Sequence, residues 1–100
     1  MPKAYWIAHI DVNNPEAYKA YVAANAEAFR KYGARFLVRG GRSEVQEGQS
    51  RTRHVVIEFA DYATALACYR SPEYAKAHAL REGASVGDLV IVEGYDGPQP

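Results

Sequence analysis

Ionisable and aromatic residues of this 100-residue chain are spaced so that several could share one face of a β-sheet. Because side chains alternate along a strand, the first apolar run places Tyr5, His9 and Asp11 on one side. A later run, interpreted as a neighbouring strand, places His54 and Glu58 on that same side. Imidazole and carboxylate groups are the usual carriers of protons near neutral pH. We therefore predict His9 and Glu58 as candidate catalytic groups and the other three as substrate-binding groups.

Arg39 is predicted to lie opposite Glu58 on this face. If residues 47–50 form a hairpin loop, the pairing of the flanking strands brings positions 39 and 58 together. One interpretation is an ordinary cross-strand ion pair. The alternative is that Arg39 binds the carboxylate or enolate of a substrate, with Glu58 orienting it or acting as the base.

The trio His9, Asp11 and His54 also raises the question of a metal ion. A protein metal site needs three or four converging ligands, and this trio is only loosely grouped by its spacing, so we predict no metal. His9 is interpreted as a hydrogen-bonded pocket or interface histidine, with acid/base catalysis as the alternative. No glycine-rich turn opens a helix to cradle phosphates, and we expect no cofactor.

A second group of polar residues surrounds an interruption between two helical segments. Tyr69, Ser71 and Tyr74 could serve only packing and helix capping, or their hydroxyls could line the mouth of a pocket together with Arg81. Cys68 has no basic neighbour in the sequence that would stabilise a thiolate, so we expect a buried, unreactive thiol.

The elements that must position these residues follow the order βαββαβ. They are predicted as strands over 4–12, 35–39 (resuming to 46), 51–60 and 88–95, and helices over 15–31 and 62–69, the latter restarting over 72–80. Asn14 and Pro15 are typical of a helix start, and Gly33 of a helix end. This order predicts an α+β, ferredoxin-like fold, with a four-stranded antiparallel sheet and both helices on one face. We expect one domain over residues 1–96 and a disordered tail over 97–100.

Composition narrows the function classes. Twelve Lys+Arg balance 12 Asp+Glu, so the chain lacks the positive excess of nucleic-acid or membrane-surface binders. There is no apolar run long enough to span a bilayer and no visible export signal, so we expect a cytoplasmic protein. One cysteine excludes a disulfide framework. Only 20 residues are Val, Ile, Leu or Phe, supplemented by eight Tyr, which favours apolar surface shared in a homodimer.

Several short motifs, specific only as a set, are similar to those of a known family. They are NPEAY after Asp11, YGARFLVRGG over 32–41, EG at 47–48, IEF over 57–59, YRSPEY over 69–74, and then Arg81. Together they resemble the small bacterial family named domain of unknown function 1330, from about residue 3 to 95. One departure is Ala34, where the family often has a second glycine.

The resemblance implies a dimeric α/β-barrel, in which two ferredoxin-like sheets face each other and leave a cavity between sheet and helices. It implies no particular reaction, since proteins with this barrel include cofactor-independent monooxygenases, muconolactone-type isomerases, haem-binding proteins and ligand-sensing domains. The recurrent polar positions of the family correspond here to Asp11, Arg39, Glu58, Tyr69, Ser71, Tyr74 and Arg81.

Two function classes stay open at this stage. The first is a homodimer that binds a small oxygenated or anionic organic molecule, whose enzymatic form would use cofactor-independent acid/base chemistry. The second is a non-catalytic interaction module whose polar sheet face specifies the dimer. Haem or metal binding is a third option, which absorption spectra and elemental analysis would test.

Overall fold

The protein folds as one antiparallel sheet with its helices on one face. The computed structural model describes residues 2–100, so Met1 lies outside it. The elements are β1 (Ala4–Val12), α1 (Pro15–Lys31), β2 (Arg35–Arg39), β3 (Arg53–Phe59), α2 (Tyr62–Tyr69), α3 (Pro72–Arg81) and β4 (Ser85–Glu93). The strands pair in the order β2-β3-β1-β4. The predicted α+β, ferredoxin-like architecture is confirmed.

Local chemistry at its ends explains why α1 begins and stops where the sequence predicts. The Asn14 side chain accepts a hydrogen bond from the Ala17 N–H at 3.2 Å, and a proline occupies the first turn. At the other end Gly33 has φ +68°, a conformation that glycine adopts without steric cost. The Ala34 N–H then donates to the Phe29 carbonyl at 2.9 Å, which closes the helix in a Schellman motif.

The core lies between the sheet and the helices and is centred on Trp6. Its side chain is 1% exposed, and its ring centroid lies 5.3 Å from Phe29, 5.3 Å from Phe59 and 5.0 Å from Tyr74. The indole N–H donates to the Ala65 carbonyl of α2 at 2.9 Å. These contacts fix the helices over one face of the sheet, because a buried indole both packs and needs a partner for its N–H.

The predicted bounds of three strands are wrong. Strand β2 ends at Arg39 and does not resume to 46, so the connection to β3 is an irregular, almost wholly exposed segment over residues 40–52 and not a hairpin loop at 47–50. Strand β3 is correspondingly shorter than predicted. Strand β4 starts at Ser85, three residues earlier than predicted, so Gly87 belongs to the strand. A Cβ at Gly87 would meet the His9 carbonyl oxygen at 2.7 Å, so glycine here permits close backbone approach.

The predicted pairing of Arg39 with Glu58 is also wrong. Residue Arg35 lies opposite Glu58, and Arg39 lies opposite Val55. The register shifts at Leu37, an extra residue in β2 that the predicted pairing did not include. Because one inserted residue reverses the alternation beyond it, the Arg39 side chain belongs to the helix-covered face of the sheet.

Candidate functional site

A cavity of about 260 Å³ lies between the helix-covered face of the sheet and the helices. Its apolar wall includes Trp6, Phe29, Phe36, Val55 and Ile57. Among the polar residues at its wall are Tyr21, Asn25, Arg39, Arg53 and Arg81. An apolar hollow with a few convergent polar groups is the usual form of a small-molecule site. The family resemblance implied a cavity at this place, between sheet and helices.

The three arginines of the cavity are each placed against an aromatic ring. The guanidinium carbon lies 3.9 Å from the Phe36 centroid for Arg39, 5.6 Å from the Tyr18 centroid for Arg53, and 5.3 Å from the Tyr21 centroid for Arg81. A guanidinium against a ring is held by cation–π attraction while its N–H groups stay available. The rings therefore fix the positions of three cations around one cavity.

Two of these arginines and one amide carry buried polar atoms without a hydrogen-bond partner among residues 2–100. They are Nε of Arg53, Nε of Arg81 and Oδ1 of Asn25, whose residue is 4% exposed. Buried polar groups are nearly always paired in folded proteins, and each exception calls for an explanation. All three residues line the same cavity. A polar ligand in that cavity would supply the missing partners.

A pair of tyrosine hydroxyls adjoins the Arg81 side of the cavity. The hydroxyl oxygens of Tyr21 and Tyr74 are 2.8 Å apart and buried. Burial raises the pKa of both hydroxyl groups. For Tyr21, the hydrogen bond with Tyr74 and then the charge of Arg81 partly offset this rise in pKa. For Tyr74, Arg81 offsets part of the rise in pKa. Both hydroxyls are therefore protonated at neutral pH. One donates to the other, and this corner of the cavity supplies hydrogen-bond donors and not a base.

The position of Arg53 depends on a glycine in the neighbouring connection. Gly40 has φ +70°, and a Cβ built there would overlap the Nη1 atom of Arg53. The Gly40 N–H also donates to the His54 carbonyl at 2.9 Å, which fixes the chain beside the guanidinium. A side chain at position 40 would thus displace Arg53 from its place against the Tyr18 ring.

The cavity carries a positive potential. Three guanidinium groups line it, whereas the one acidic residue of its lining among the described residues, Asp88, lies opposite His9, so its carboxylate belongs to the side of the sheet away from the helices. Asp88 already accepts a hydrogen bond from Arg51 Nε at 3.1 Å, so its charge is partly offset. Clustered charges of one sign in a cleft with low-dielectric walls attract a ligand of the opposite sign.

The uncovered side of the sheet, which we call the open face, holds most of the strand residues predicted as the site. Tyr5, His9, His54 and Glu58 lie there, as their pairing positions show. The Nδ1 atoms of His9 and His54 are 2.7 Å apart, so one imidazole donates and the other, neutral, accepts. Glu58 pairs with Lys3 at 3.3 Å. These four side chains are separated from the cavity by the sheet itself.

The predicted grouping of Arg39 with Tyr5, His9 and Glu58 on one face is therefore wrong. The bulge in β2 moves Arg39 to the cavity side, while the other three stay on the open face. One chain therefore does not form a single site in which Arg39 binds an anion and Glu58 or His9 carries a proton.

Asp11 is held in a structural contact at the end of the 40–52 connection. Its carboxylate accepts hydrogen bonds from the Thr52 N–H at 3.0 Å and from Arg51 Nη1 at 3.0 Å. The Thr52 backbone N–H, followed by Arg51, holds the pKa of the Asp11 carboxyl below its usual value. These contacts tie the start of β3 to β1; a substrate-binding role for Asp11 stays a prediction.

The residues around the helix break divide between the two interpretations. Ser71 Oγ accepts from the Tyr74 N–H at 3.1 Å and donates to the Cys68 carbonyl at 2.7 Å, which is a buried helix cap. Tyr69 and Arg81 line the cavity. Burial raises the pKa of the Cys68 thiol to about 12, in keeping with the predicted unreactive thiol.

Sequence reasoning missed Arg53, Asn25 and Tyr21 as cavity residues, although a signal was present. Arg53 continues the alternation of Val55 and Ile57, so it occupies the helix-covered register despite its charge. Asn25 likewise stands in the apolar stripe of α1. A polar residue in an apolar register is either paired in the core or directed at a ligand, and that is the pattern that could have identified both.

Neither a cluster of metal-ligating side chains nor a membrane-spanning helix occurs within residues 2–100. No three His, Cys, Asp or Glu side chains come together there in a way that could hold a metal ion, and the loose trio of the sequence separates into a histidine pair and a distant Asp11 contact. Among the same residues, no helix has both the length and the apolar character needed to cross a membrane.

The architecture and cavity together define an α+β, ferredoxin-like protein with a basic, aromatic pocket beneath its helices. The family described as "Domain of unknown function (DUF1330)" matches residues 3–95. Since this match covers nearly the whole sequence, the chain belongs to that family. No curated protein matches the sequence.

Solved structures share the fold at low sequence identity. The RPA0582 protein of unknown function from Rhodopseudomonas palustris is 17% identical, with a TM-score of 0.76 over 96% of this chain and 85% of that one. SnoaB, a cofactor-independent oxygenase from Streptomyces nogalater, is 14% identical, with a TM-score of 0.65 over 100% and 97%. A putative antibiotic biosynthesis monooxygenase from Nitrosomonas europaea is 19% identical, with a TM-score of 0.60 over 94% and 91%. At these identities the likeness concerns the fold alone.

Proposed function

We propose that the protein is a homodimer that binds a small anionic, oxygenated organic molecule in the cavity beneath its helices. The observation that carries the proposal is the pair of buried guanidinium Nε atoms, on Arg53 and Arg81, that have no partner within the described residues. Unpaired N–H donors on cations are satisfied best by a carboxylate or an enolate oxygen. Arg39 adds a third cation at the same cavity, so its predicted role as an anion binder is retained there.

The homodimer is supported by the apolar character of the open face. Val86, Val90 and Val92 of β4 are 50%, 54% and 41% exposed, and they lie opposite residues of β1 on that face. The molecule is also flat, with extents of 43 × 36 × 16 Å. A face of this size exceeds the ~800 Å² that each partner buries in a standard interface. A second copy, placed sheet to sheet, would cover the exposed valines.

Chemistry in this cavity would rest on hydrogen-bond donors. The arginines and the protonated Tyr21 hydroxyl could stabilise negative charge that develops on a bound oxygen, such as an enolate, without any cofactor. SnoaB, which shares the fold, is a cofactor-independent oxygenase. A proton-transfer role for His9 and Glu58 stays a prediction, and it would belong to the subunit interface and not to the cavity.

A second candidate function is the non-catalytic interaction module. The observation that favours it is the contact of His9 and His54, 2.7 Å apart on the open face, which could specify how two sheets pack. In that case the polar groups of the open face, Glu58 included, would matter for assembly and not for ligand binding.

One set of variants separates the two candidates. We would measure the melting temperature of the wild type, Arg81→Ala, Glu58→Ala and the control Arg42→Ala with a panel of small carboxylates, and the mass by light scattering. The proposal expects twice 11.1 kDa and a carboxylate-dependent shift that only Arg81→Ala abolishes. Arg42 is exposed in the 40–52 connection, so Arg42→Ala tests whether the removal of one positive charge is enough to change the carboxylate-dependent shift. No carboxylate shift, together with weaker dimers for Glu58→Ala, would favour the module.

A further inference from the structure

We infer that the ligand of this cavity is an aromatic carboxylate carrying a ring hydroxyl group, a class to which the hydroxybenzoates belong. The inference rests on the proposed function, since it needs the cavity to be a binding site. It goes further by assigning a ligand group to the unpaired atoms of Arg81 and Asn25, and it names Asn25 as the residue that selects the hydroxyl.

The carboxylate is assigned to Arg81. Its guanidinium lies 5.3 Å from the Tyr21 ring and near enough to the Tyr74 hydroxyl to oppose the effect of burial on the pKa of that group. Its buried Nε has no partner within residues 2–100. The Nε and one Nη of a guanidinium form a fork that matches the two oxygens of a carboxylate, which a lysine ammonium cannot reproduce.

The hydroxyl group is assigned to Asn25. Its side chain is buried and lines the cavity, and its Oδ1 has no partner among the described residues. A carbonyl oxygen only accepts hydrogen bonds, so the ligand must present a donor. An ammonium donor would be repelled by the nearby arginines, and a carboxylate has no hydrogen to donate. A neutral hydroxyl satisfies Asn25 without this repulsion.

The ring is assigned from the shape of the cavity. Trp6, Phe29 and Phe36 form its apolar wall, and a volume of about 260 Å³ leaves space for one substituted ring. An apolar cavity of ~150 Å³ is enough for benzene. Arg81 and Asn25 both line this one cavity, so a single substituted ring with a carboxylate and a hydroxyl group can be tested against both residues.

Binding by titration calorimetry would test the assignment with four probes: 4-hydroxybenzoate, 3-hydroxybenzoate, benzoate and 4-methoxybenzoate. The methoxy group can accept but not donate a hydrogen bond. We expect one of the hydroxybenzoates to bind wild-type protein at least tenfold more tightly than benzoate or the methoxy compound, because a site built around a hydroxyl discriminates against ligands that lack it.

Variants assign that preference to residues. Asn25→Leu should abolish the preference while leaving benzoate affinity within about threefold, and Arg81→Lys should weaken all four acids by tenfold or more. Arg42→Lys is the matched control and should change nothing. If Asn25→Leu does not fold, the comparison of hydroxy and methoxy probes in the wild type still decides the question.

The outcomes also separate this inference from the proposed function. Equal affinity for benzoate and both hydroxybenzoates, with Arg81 required, would overturn the hydroxyl assignment and leave an anion-binding cavity. Arg81-dependent binding of aliphatic but not aromatic acids, tested with succinate and pyruvate, would overturn the aromatic assignment. If no acid binds at millimolar concentration, both the inference and the proposed anion site are wrong.

Discussion

Replacing Asn25 by leucine should stabilise the protein while removing the selectivity of its cavity. Asn25 is 4% exposed, and its Oδ1 lacks a partner within residues 2–100. An unpaired buried carbonyl destabilises the fold by about 1–3 kcal/mol. Leucine has the same number and branching of side-chain heavy atoms, with space for its methyl groups toward the cavity, and a better helix propensity by a few tenths of a kcal/mol. The amide N–H₂ near the Tyr21 hydroxyl would be lost, at a cost of about 1 kcal/mol.

These terms leave a net increase of about 1 kcal/mol in the free energy of unfolding, or a melting temperature roughly 4–8 °C higher for a domain of this size. Urea unfolding of ligand-free protein measures the first quantity, and calorimetry measures the second. Glu27→Leu, at an exposed position of α1, is the control for helix propensity alone and should shift stability by only a few tenths of a kcal/mol. A loss of stability greater than about 1 kcal/mol in Asn25→Leu would mean that the amide is already satisfied inside the protein, and the argument for a ligand donor would fail.

Three other substitutions, the first with a matched control, test separate parts of the structure. Gly40→Ala and Gly48→Ala both force alanine to a positive φ (+70° and +74°), so each variant should lose about 1–2 kcal/mol of stability. Only Gly40→Ala also displaces Arg53, so only this variant should weaken carboxylate binding in calorimetry. In urea titrations, Asp11→Asn should lose less stability than the wild type between about pH 5 and pH 2. The reason is that folding lowers the pKa of the Asp11 carboxyl, so this group stabilises the protein above its unfolded pKa and loses that contribution as the pH falls. Val90→Glu, on the open face, should yield monomers in light scattering with an unchanged far-UV spectrum; a dimer that persists would place the interface elsewhere.

The sequence was sufficient for the features that local chemistry decides. Asn14 with Pro15 and the glycine at position 33 determine where α1 begins and ends, since a cap and a left-handed residue act within one turn. The family resemblance likewise placed a cavity between sheet and helices. Neither the element order nor the fold class needed long-range information beyond the pattern of apolar residues.

The parts that sequence could not predict depend on contacts between distant segments. No glycine or proline marks the extra residue in β2, so the side of the sheet that Arg39 occupies follows only from its pairing with β3. The close approach of Gly87 to the backbone of β1 is equally invisible in a single strand. The sequence shows that Asn25 is a polar residue at an apolar position of α1, but it does not show that packing leaves the side-chain oxygen without a partner.

The two faces of the sheet are chemically distinct, and β3 shows this within two neighbouring residues. Arg53 points to the cavity, where its Nε is unpaired, while His54 lies on the open face against His9. The cavity lies between the helix-covered face of the sheet and the helices, away from the open face. The open face carries the exposed valines of β4, which the proposed dimer would cover. In the proposed function, ligand binding and dimerisation use opposite surfaces of the same strands, so carboxylate binding should survive a substitution that abolishes the dimer.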